Sequence, residues 1–381
     1  MARVDERRPS KNRLSKRRKQ EIIRDDYFDY PTLFIIIVIV LFGVMMVYSS
    51  SSYRAVLEGE SSIYYAKKQA MYGFLGILGM LFISKLDYKW LTRVSLGFMW
   101  LAIVLCGIVL VIGTASHGAT RWIPIGSLQF QPSEIAKPIL IVYMADVCVV
   151  QARRLETLKG IANISILPLL CIGLIAKENL STAIVCFAIM YVIMFVASPN
   201  IKYMLLLAVF GVVSAILFVV TVGYRGDRFD AWFHPETSEH GFQTMQSLYA
   251  IGSGGIFGRG LGQSIQKLGF LPESHNDMIF SVVCEELGIF GATCVIALFL
   301  MLIMRFRYIA SNARERFGGL LMTGIITHLA IQLFVNIGVV TNTIPPTGVT
   351  LPFISYGGTS LVFMLGEMGL ALSVSRYMEP R

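Results

Sequence analysis

The feature that most constrains the fold of this chain is a series of long apolar runs that recurs along its whole length. A helix needs about 20 residues to cross a hydrocarbon core about 30 Å thick. Runs of this kind are found at Leu33–Ser51, Gln69–Ser84, Val94–Gly113, Ser133–Val150, Gly160–Ala176, Leu180–Ser198, Tyr203–Gly223, Met278–Met304, Phe317–Val340 and Thr359–Ser375. The sequence therefore predicts an all-α polytopic membrane protein, built as a bundle of ten transmembrane helices.

The composition supports this class of protein. Hydrophobic residues make up 55% of the 381 residues and charged residues only 15%, whereas soluble proteins carry about 25% charged residues. All six cysteines fall within apolar runs and show no metal-site spacing, so we interpret them as packing residues and predict no protein metal site. A water-soluble globular core is excluded.

The positions of Lys and Arg indicate the orientation of the chain. With an even number of spans both termini lie on one side, and that side holds most of the 33 basic residues, which marks it as cytoplasmic. Residues 1–30 then form a disordered basic cytoplasmic tail, and residues 31–378 form the membrane domain. The net charge of +9 reflects topology and attraction to anionic membrane lipid, so nucleic acid is not an expected partner.

This orientation places a large extracytoplasmic loop, residues 224–276, between helices 7 and 8. Long loops in compact bundles usually carry function. Within the loop, Gln243–Ile251 is predicted to be a short helix, and the glycine-rich stretch Gly252–Gly262 requires backbone freedom or a close approach to another segment. The stretch lacks the Lys-Ser/Thr of a nucleotide-binding P-loop and follows no strand.

One carboxylate, Asp277, stands at the mouth of the eighth run. A charged residue at bilayer depth costs roughly 2.5–3.5 kcal/mol on insertion scales, so such residues tend to be kept for function. Asp277 has two compatible interpretations: an N-cap of the helix that begins near Met278, or a general base in a partly desolvated cleft. Glu285 and Glu286 follow about two helical turns later and are expected to form structural ion pairs within the bundle.

A second group of polar residues precedes and enters the fourth run. Arg121 and Trp122 suit either an anchor at the membrane interface or a substrate contact. Glu134 and Lys137 are three residues apart on one helix face, so they can pair with each other. If an Arg, a Lys and an Asp converge at the outer face, they would suit a substrate that has phosphates and a hydroxyl to activate.

A third group, Pro345–Ser360, is rich in Pro, Gly and hydroxyl residues at the edge of the last run. Broken or re-entrant backbone of this kind is tolerated in membranes only where protein or water satisfies it. Transporters also build binding sites from broken helices, so this segment alone does not distinguish an enzyme from a transporter.

Together these segments resemble the SEDS family (shape, elongation, division and sporulation) of bacterial membrane proteins, over about residues 30–378. The motifs that carry the resemblance are Arg121-Trp-Ile, Gln131-Pro-Ser-Glu-Ile-Ala-Lys137, Gln246-Ser-Leu-Tyr-Ala-Ile-Gly-Ser-Gly-Gly255, Gly260-Leu-Gly-Gln263, Leu271-Pro-Glu, Asp277-Met-Ile-Phe280, Glu285-Glu-Leu-Gly288, Pro346-Thr-Gly and Ser355-Tyr-Gly-Gly358. The wording is closer to the division and sporulation members (FtsW and SpoVE) than to the elongation members.

The resemblance implies a ten-span fold and a peptidoglycan glycosyltransferase that polymerises lipid II with a class B penicillin-binding protein and other divisome proteins. It implies a place in the cytoplasmic membrane at the division septum. The family's essential aspartate matches Asp277, its tryptophan Trp122 and its lysine Lys137. Two positions depart from the family pattern: Asn179 stands where many members have Asp, and Asn276 where Thr is usual.

The chemistry implied by this resemblance is an inverting displacement at the anomeric carbon of an α-linked pyrophosphate. It needs a base on the acceptor hydroxyl and positive charge at the departing pyrophosphate. Asp277 is the expected base. Other candidate substrate contacts are Arg121, Trp122, Glu134, Lys137, Arg259, Lys267, His275 and Ser355. A divalent cation, Mg²⁺ or Mn²⁺, could assist. The alternatives are a lipid II flippase and a non-catalytic scaffold of the divisome.

Overall fold

A computed structural model describes residues 28–378, except 113, 117–118, 126–127, 222–225 and 239–240. Nearly all of the predicted basic tail, residues 1–30, lies outside this range. The helices are α1 (Tyr30–Leu57), α2 (Tyr64–Ile83), α3 (Leu91–Ile112), α4 (Pro132–Val150), α5 (Leu158–Glu178), α6 (Leu180–Ala197), α7 (Ile201–Thr221), α8 (Gly226–Phe233), α9 (Phe242–Gly254), α10 (Ile279–Ser311), α11 (Arg316–Val340) and α12 (Gly358–Arg376). Short 3-10 turns occupy Tyr88–Trp90 and Ala152–Glu156.

The predicted all-helical class is confirmed. Apolar chains in lipid must satisfy their backbone groups internally, which favours helices. Among the described residues, eight helices are long and apolar enough to cross a membrane: α1, α3, α5, α6, α7, α10, α11 and α12. The other two predicted spans fall on α2 and α4, which are helical but carry charged residues along their first turns. Ten crossings therefore remain a prediction.

Helix α4 lies at the centre of the bundle, packed against α3, α6, α11 and α12. Most of its residues are buried, including the charged Lys137 and Asp146. Because its neighbours surround it, its charges face other helices and not the outside of the bundle. By contrast, α7 packs on α6 and leaves most of its surface exposed.

A small antiparallel sheet lies between α3 and α4, where the sequence predicted no strands. Its strands are β1 (Thr114–Ser116), β2 (Ala119–Ile125) and β3 (Leu128–Phe130), in the order β1-β2-β3. β1 and β3, with three residues each, are too short to show the alternation by which strands are recognised in a sequence. β2 contains Pro124, which argues against a strand in the sequence. The sheet packs through β2 against α3, α4 and α5.

The glycine-rich stretch after α9 packs against a break in α10. The break is at Gly288, whose φ of 68° interrupts the helix. The carbonyls of Glu285 and Glu286 accept hydrogen bonds from the backbone N–H groups of Arg259 and Gly260, and Ile289 N–H donates to Gly255. A Cβ added at Gly258 would lie 2.2 Å from the Glu286 carbonyl oxygen. The close approach predicted for the glycine-rich stretch is thus a contact between its backbone and the backbone of α10. It supplies hydrogen-bond partners to backbone groups at the break in that helix.

Candidate active site

Asp277 lies in the turn immediately before α10. The N-cap of that helix is Met278, so Asp277 does not occupy the capping position considered from the sequence. Asp277 is partly exposed as a residue, whereas the Oδ1 atom of its carboxylate is buried. Gly348 borders this carboxylate: a Cβ added there would lie 3.7 Å from the Asp277 Oδ2. The Asp277 carboxylate therefore lies close to a backbone position that carries no side chain.

Three successive carbonyls hold the backbone of the Asp277 turn. His275 O accepts from the Tyr356 N–H at 2.9 Å, and Asn276 O accepts from the Ser355 hydroxyl at 2.6 Å. Asp277 O accepts from the side-chain amide of Asn336, at 2.7 Å. Because each carbonyl has a separate donor, the turn is fixed to α11 and to the segment before α12.

The three hydrogen bonds to the carbonyls of His275, Asn276 and Asp277 form a clamp on this turn. Ser355 acts in it both as a donor and as an acceptor. Its hydroxyl donates to Asn276 O and accepts from the Leu351 N–H at 2.8 Å. Gln69 of α2 braces the same segment by donating to Ser355 O at 3.0 Å. Ser355 is 5% exposed, so the structure places it behind the site and does not present it to a substrate.

His275 is also buried, although it lies two residues from Asp277. Its ring packs between Tyr65 and Tyr356, with centroids 5.0 and 5.8 Å away. Burial lowers the pKa of His275 below its usual value, because desolvation penalises the charged imidazolium. The side chain is therefore neutral near pH 7 and packs the turn; it does not offer a cation to a phosphate.

The predicted partners Glu134 and Lys137 are paired on α4, with Lys137 Nζ 2.9 Å from Glu134 Oε2. Both side chains are deeply buried, at 11% and 4% exposure.

The carboxylates Glu285 and Glu286 organise the loop that leads to Asp277. Glu286 pairs with Lys267 at 2.7 Å and accepts from the Ser49 hydroxyl of α1 at 2.6 Å. Glu285 accepts from the Ser264 hydroxyl at 2.5 Å and from the Ile265 N–H at 3.0 Å. Both carboxylates are fully buried, so they anchor the loop to α1 and α10.

Lys267 was a candidate substrate cation, and the structure does not leave it open to a ligand. It is 6% exposed, and its ammonium also donates to Ser49 at 2.9 Å. A buried ion pair of this kind is costly to break, since each partner would be left uncompensated. We therefore assign Lys267 to the fold.

The remaining candidate cations are less buried or are not described. Arg259 lies 3.8 Å from Glu285 and its side chain is 37% exposed, so part of the guanidinium remains accessible. Arg121 belongs to β2, and its side chain lies outside the described part of the structure. Trp122 is half-buried in the same strand, paired in register with Thr114. Among the described candidate cations, part of Arg259 is accessible, whereas Lys137 is buried in an ion pair as Lys267 is.

Asn179, the departure from the family pattern, caps α6 by accepting from the Thr182 N–H at 3.1 Å. It also lines a small cleft between α3, α4 and α5. In the part of the chain that the structure describes, no three His, Cys, Asp or Glu side chains come together as metal ligands would.

Sequence reasoning missed Asn336, Gln69 and Gly348. The available signal for Asn336 was a row of polar residues, His328, Gln332 and Asn336, spaced four apart in an apolar helix. Such spacing puts them on one face. The candidate site offers a carboxylate on a partly exposed residue whose backbone is held by three hydrogen bonds, an arrangement that suits removal of a proton from a substrate.

The sequence of this chain matches a family model and known members of that family. A family model described as cell cycle protein (FtsW/RodA/SpoVE) matches residues 31–379. A probable peptidoglycan glycosyltransferase FtsW from Geobacter metallireducens is 37% identical over 358 residues, covering 92% of this chain and 96% of that protein. Stage V sporulation protein E from Bacillus subtilis is 37% identical over 362 residues, covering 91% and 97%.

The fold is similar to solved structures as well. One chain, from a study of polymerization and crosslinking by a peptidoglycan synthase complex, superposes with a TM-score of 0.77 and 26% identity, covering 93% of this chain and 100% of that one. The rod shape determining protein RodA from Thermus thermophilus gives a TM-score of 0.68 at 26% identity, covering 93% and 99%.

Proposed function

The chain belongs to the FtsW/RodA/SpoVE family of cell cycle proteins, and we propose that it is a peptidoglycan glycosyltransferase that polymerises lipid II into β-1,4 glycan strands. The names of its relatives and the similarity of its fold to a chain of a peptidoglycan synthase complex support the activity. The substrate is a disaccharide carried on a polyprenyl pyrophosphate, which explains why the site is built within a membrane bundle.

The observation that carries the proposal is the position of Asp277, a partly exposed residue on a turn whose backbone is held at three successive carbonyls. Asp277 removes the proton from the acceptor 4-hydroxyl as its oxygen attacks the anomeric carbon of the donor. The bond to pyrophosphate breaks as the new bond forms, so the α-linked donor gives a β-linked product. A positioned general base contributes about 10²–10⁴-fold.

Positive charge at the departing pyrophosphate comes from Lys137, with Arg259 and Arg121 as further candidates. Lys137 forms an ion pair with Glu134 in the structure. A diphosphate carries more negative charge than one carboxylate, so it competes more strongly for the Lys137 ammonium. Trp122 would lie against the lipid headgroup region. No step requires Lys267, His275 or Ser355 to touch the substrate.

The reaction takes place at the outer face of the cytoplasmic membrane. All ten predicted helices cross the bilayer, including α4, whose charged residues face the interior of the bundle, and α2, whose charged residues Lys67 and Lys68 lie in its first two turns. Both termini are cytoplasmic by the distribution of Lys and Arg, so the loop 224–276 and Asp277 lie on the extracytoplasmic side. The polyprenyl chain then lies in lipid beside the helices.

The partner is a class B penicillin-binding protein, which cross-links the peptides of the new strand, together with other divisome proteins. The similarity to a chain of a peptidoglycan synthase complex supports a partner of this kind. Similarity to FtsW and to stage V sporulation protein E favours work at a division or sporulation septum.

The test is polymerisation of lipid II by purified full-length protein, with and without the partner, for the wild type and Asp277→Ala. Glu236→Gln, which changes an exposed carboxylate in the same loop, is the matched control. We expect Asp277→Ala to lose glycan chains while it keeps its fold and its partner, and the control to polymerise normally. A scaffold would show no polymerisation in any protein, and a flippase would move labelled lipid II across proteoliposomes without forming chains.

A further inference from the structure

The amide of Asn336 connects the two backbone segments that flank the Asp277 carboxylate. Asn336 is fully buried on α11. Its side-chain nitrogen donates to Asp277 O at 2.7 Å and to Val349 O at 2.9 Å. A primary amide has two N–H groups, so one side chain can serve both carbonyls. This cross-link joins the turn before α10 to the loop before α12.

The second carbonyl belongs to the segment that borders the carboxylate. Val349 follows Gly348, whose φ is 77° and whose missing Cβ would lie 3.7 Å from Asp277 Oδ2. Asn336 therefore ties down both the backbone of Asp277 and the backbone against which its side chain lies. A change in this link alters the separation of those two segments and so the direction of the carboxylate.

We propose that Asn336 is a positioning residue for Asp277: it holds the carboxylate in line with the acceptor hydroxyl without touching the substrate itself. This inference rests on the proposed function of Asp277 as the base. The other two bonds of the clamp come from Ser355 and Tyr356, which belong to a single segment. Asn336 holds the turn from a different element, helix α11.

The chemistry of an amide is required at this position. Leucine has a similar size but donates to neither carbonyl. Aspartate has the same shape, but it offers one O–H donor when protonated and none when ionised. Each replacement leaves one or both carbonyls without their donor, and a displacement of about 1 Å at a reacting group can cost about 10²-fold in rate.

The experiment compares full-length wild type, Asn336→Leu, Asn336→Asp and Asp277→Asn in lipid II polymerisation, with the partner present, recording kcat and KM separately. Gln332→Met is the matched control, since Gln332 is a buried amide one turn earlier on the same face, with only a 3.5 Å contact to Thr350. We expect Asn336→Leu to lose about 10²-fold in kcat, with KM within about threefold, and the control to keep its kcat. A role in folding alone would lower the yield of folded protein and leave kcat per folded molecule unchanged.

The Asn336→Asp variant keeps the shape of the side chain and decides the matter if Asn336→Leu does not fold. Its kcat relative to wild type should fall as the pH rises, because ionisation removes its last donor, whereas the ratio for Asn336→Leu should not change with pH. The contact between His328 and Glu367, at 2.8 Å, is unchanged in both Asn336 variants. An ionised carboxylate at position 336 also disfavours the ionised form of Asp277; that effect vanishes at high pH, where both are ionised, whereas the loss of the donor persists there.

Two outcomes overturn the positioning role. One is a kcat within threefold of wild type for Asn336→Leu, or for Asn336→Asp at high pH, while Asp277→Asn is inactive. That result would support Asp277 as the base and contradict Asn336 as its positioning residue. The other is an equal loss of kcat in Gln332→Met. If Asp277→Asn itself polymerises normally, it is the proposed base that fails.

Discussion

The ammonium of Lys137 lies 2.9 Å from the carboxylate of Glu134, and both are buried in the middle of the helical bundle. Removing one partner of a buried ion pair leaves an uncompensated charge and costs about 3–5 kcal/mol, whereas replacing both partners is often neutral. This relationship allows the structural and the catalytic roles of Lys137 to be separated.

We predict that Lys137→Met lowers both the melting temperature and the polymerisation rate. The double variant Glu134→Gln with Lys137→Met should regain the melting temperature but not the rate, because the pyrophosphate still lacks its cation. The measurements are thermal unfolding and lipid II polymerisation per folded molecule. Recovery of the rate together with the melting temperature would show that Lys137 acts only in the fold.

The opposite result is expected for Lys267, which pairs with Glu286 at 2.7 Å. Lys267→Met should destabilise the protein, because it leaves Glu286 buried without its cation. The double variant Lys267→Met with Glu286→Gln should regain stability and polymerise at a rate close to wild type. A persistent loss of rate in this stable double variant would return Lys267 to the list of substrate contacts.

Gly288 should tolerate no side chain. Its φ is 68°, and an added Cβ would lie 2.4 Å from the backbone nitrogen of Gly258. Gly59 is the matched control, with a φ of 79° and no atom within 4 Å of an added Cβ. Gly59→Ala should cost only the left-handed strain, about 1–2 kcal/mol, while Gly288→Ala adds a backbone clash and should fold poorly. Equal losses of melting temperature would contradict the close contact of the two segments.

The stability of the fold should depend on the protonation of His275. Burial lowers the pKa of His275 below its usual value of about 6.5. The unfolded chain then binds the proton more readily, so stability is full above the usual pKa and is lost as the pH falls below it. His275→Phe should remove this part of the pH dependence. Melting temperatures measured from about pH 5 to pH 8 test this, and parallel curves for the two proteins would refute it.

The helical class could be predicted from the sequence because lipid leaves a chain few alternatives. The pairing of Glu134 with Lys137 could be predicted as well, since their spacing on one helix determines it. The position of Asp277 at the mouth of an apolar run marks the candidate site in the sequence, and its role as a base is a proposal.

Contacts between distant segments could not be predicted in this way. Lys267 is a predicted substrate contact, and no spacing in the sequence reveals that Glu286 and Ser49 surround it in the fold. Ser355 and Asn336 hold the Asp277 turn from other parts of the chain, and a row of polar residues on an apolar helix does not show which carbonyl each of them will meet. The strands between residues 114 and 130 show no clear alternation, because β1 and β3 have three residues each and β2 contains a proline.

The central claim is that the Asp277 carboxylate removes the proton from the acceptor hydroxyl. Asp277→Asn keeps the size of the side chain and its backbone clamp but removes the base, so the direct measurement is its rate of lipid II polymerisation against that of the wild type, with the partner present. The account predicts a fall of about 10²–10⁴-fold or more at an unchanged melting temperature. A rate within about tenfold of the wild type, from folded protein, would contradict it.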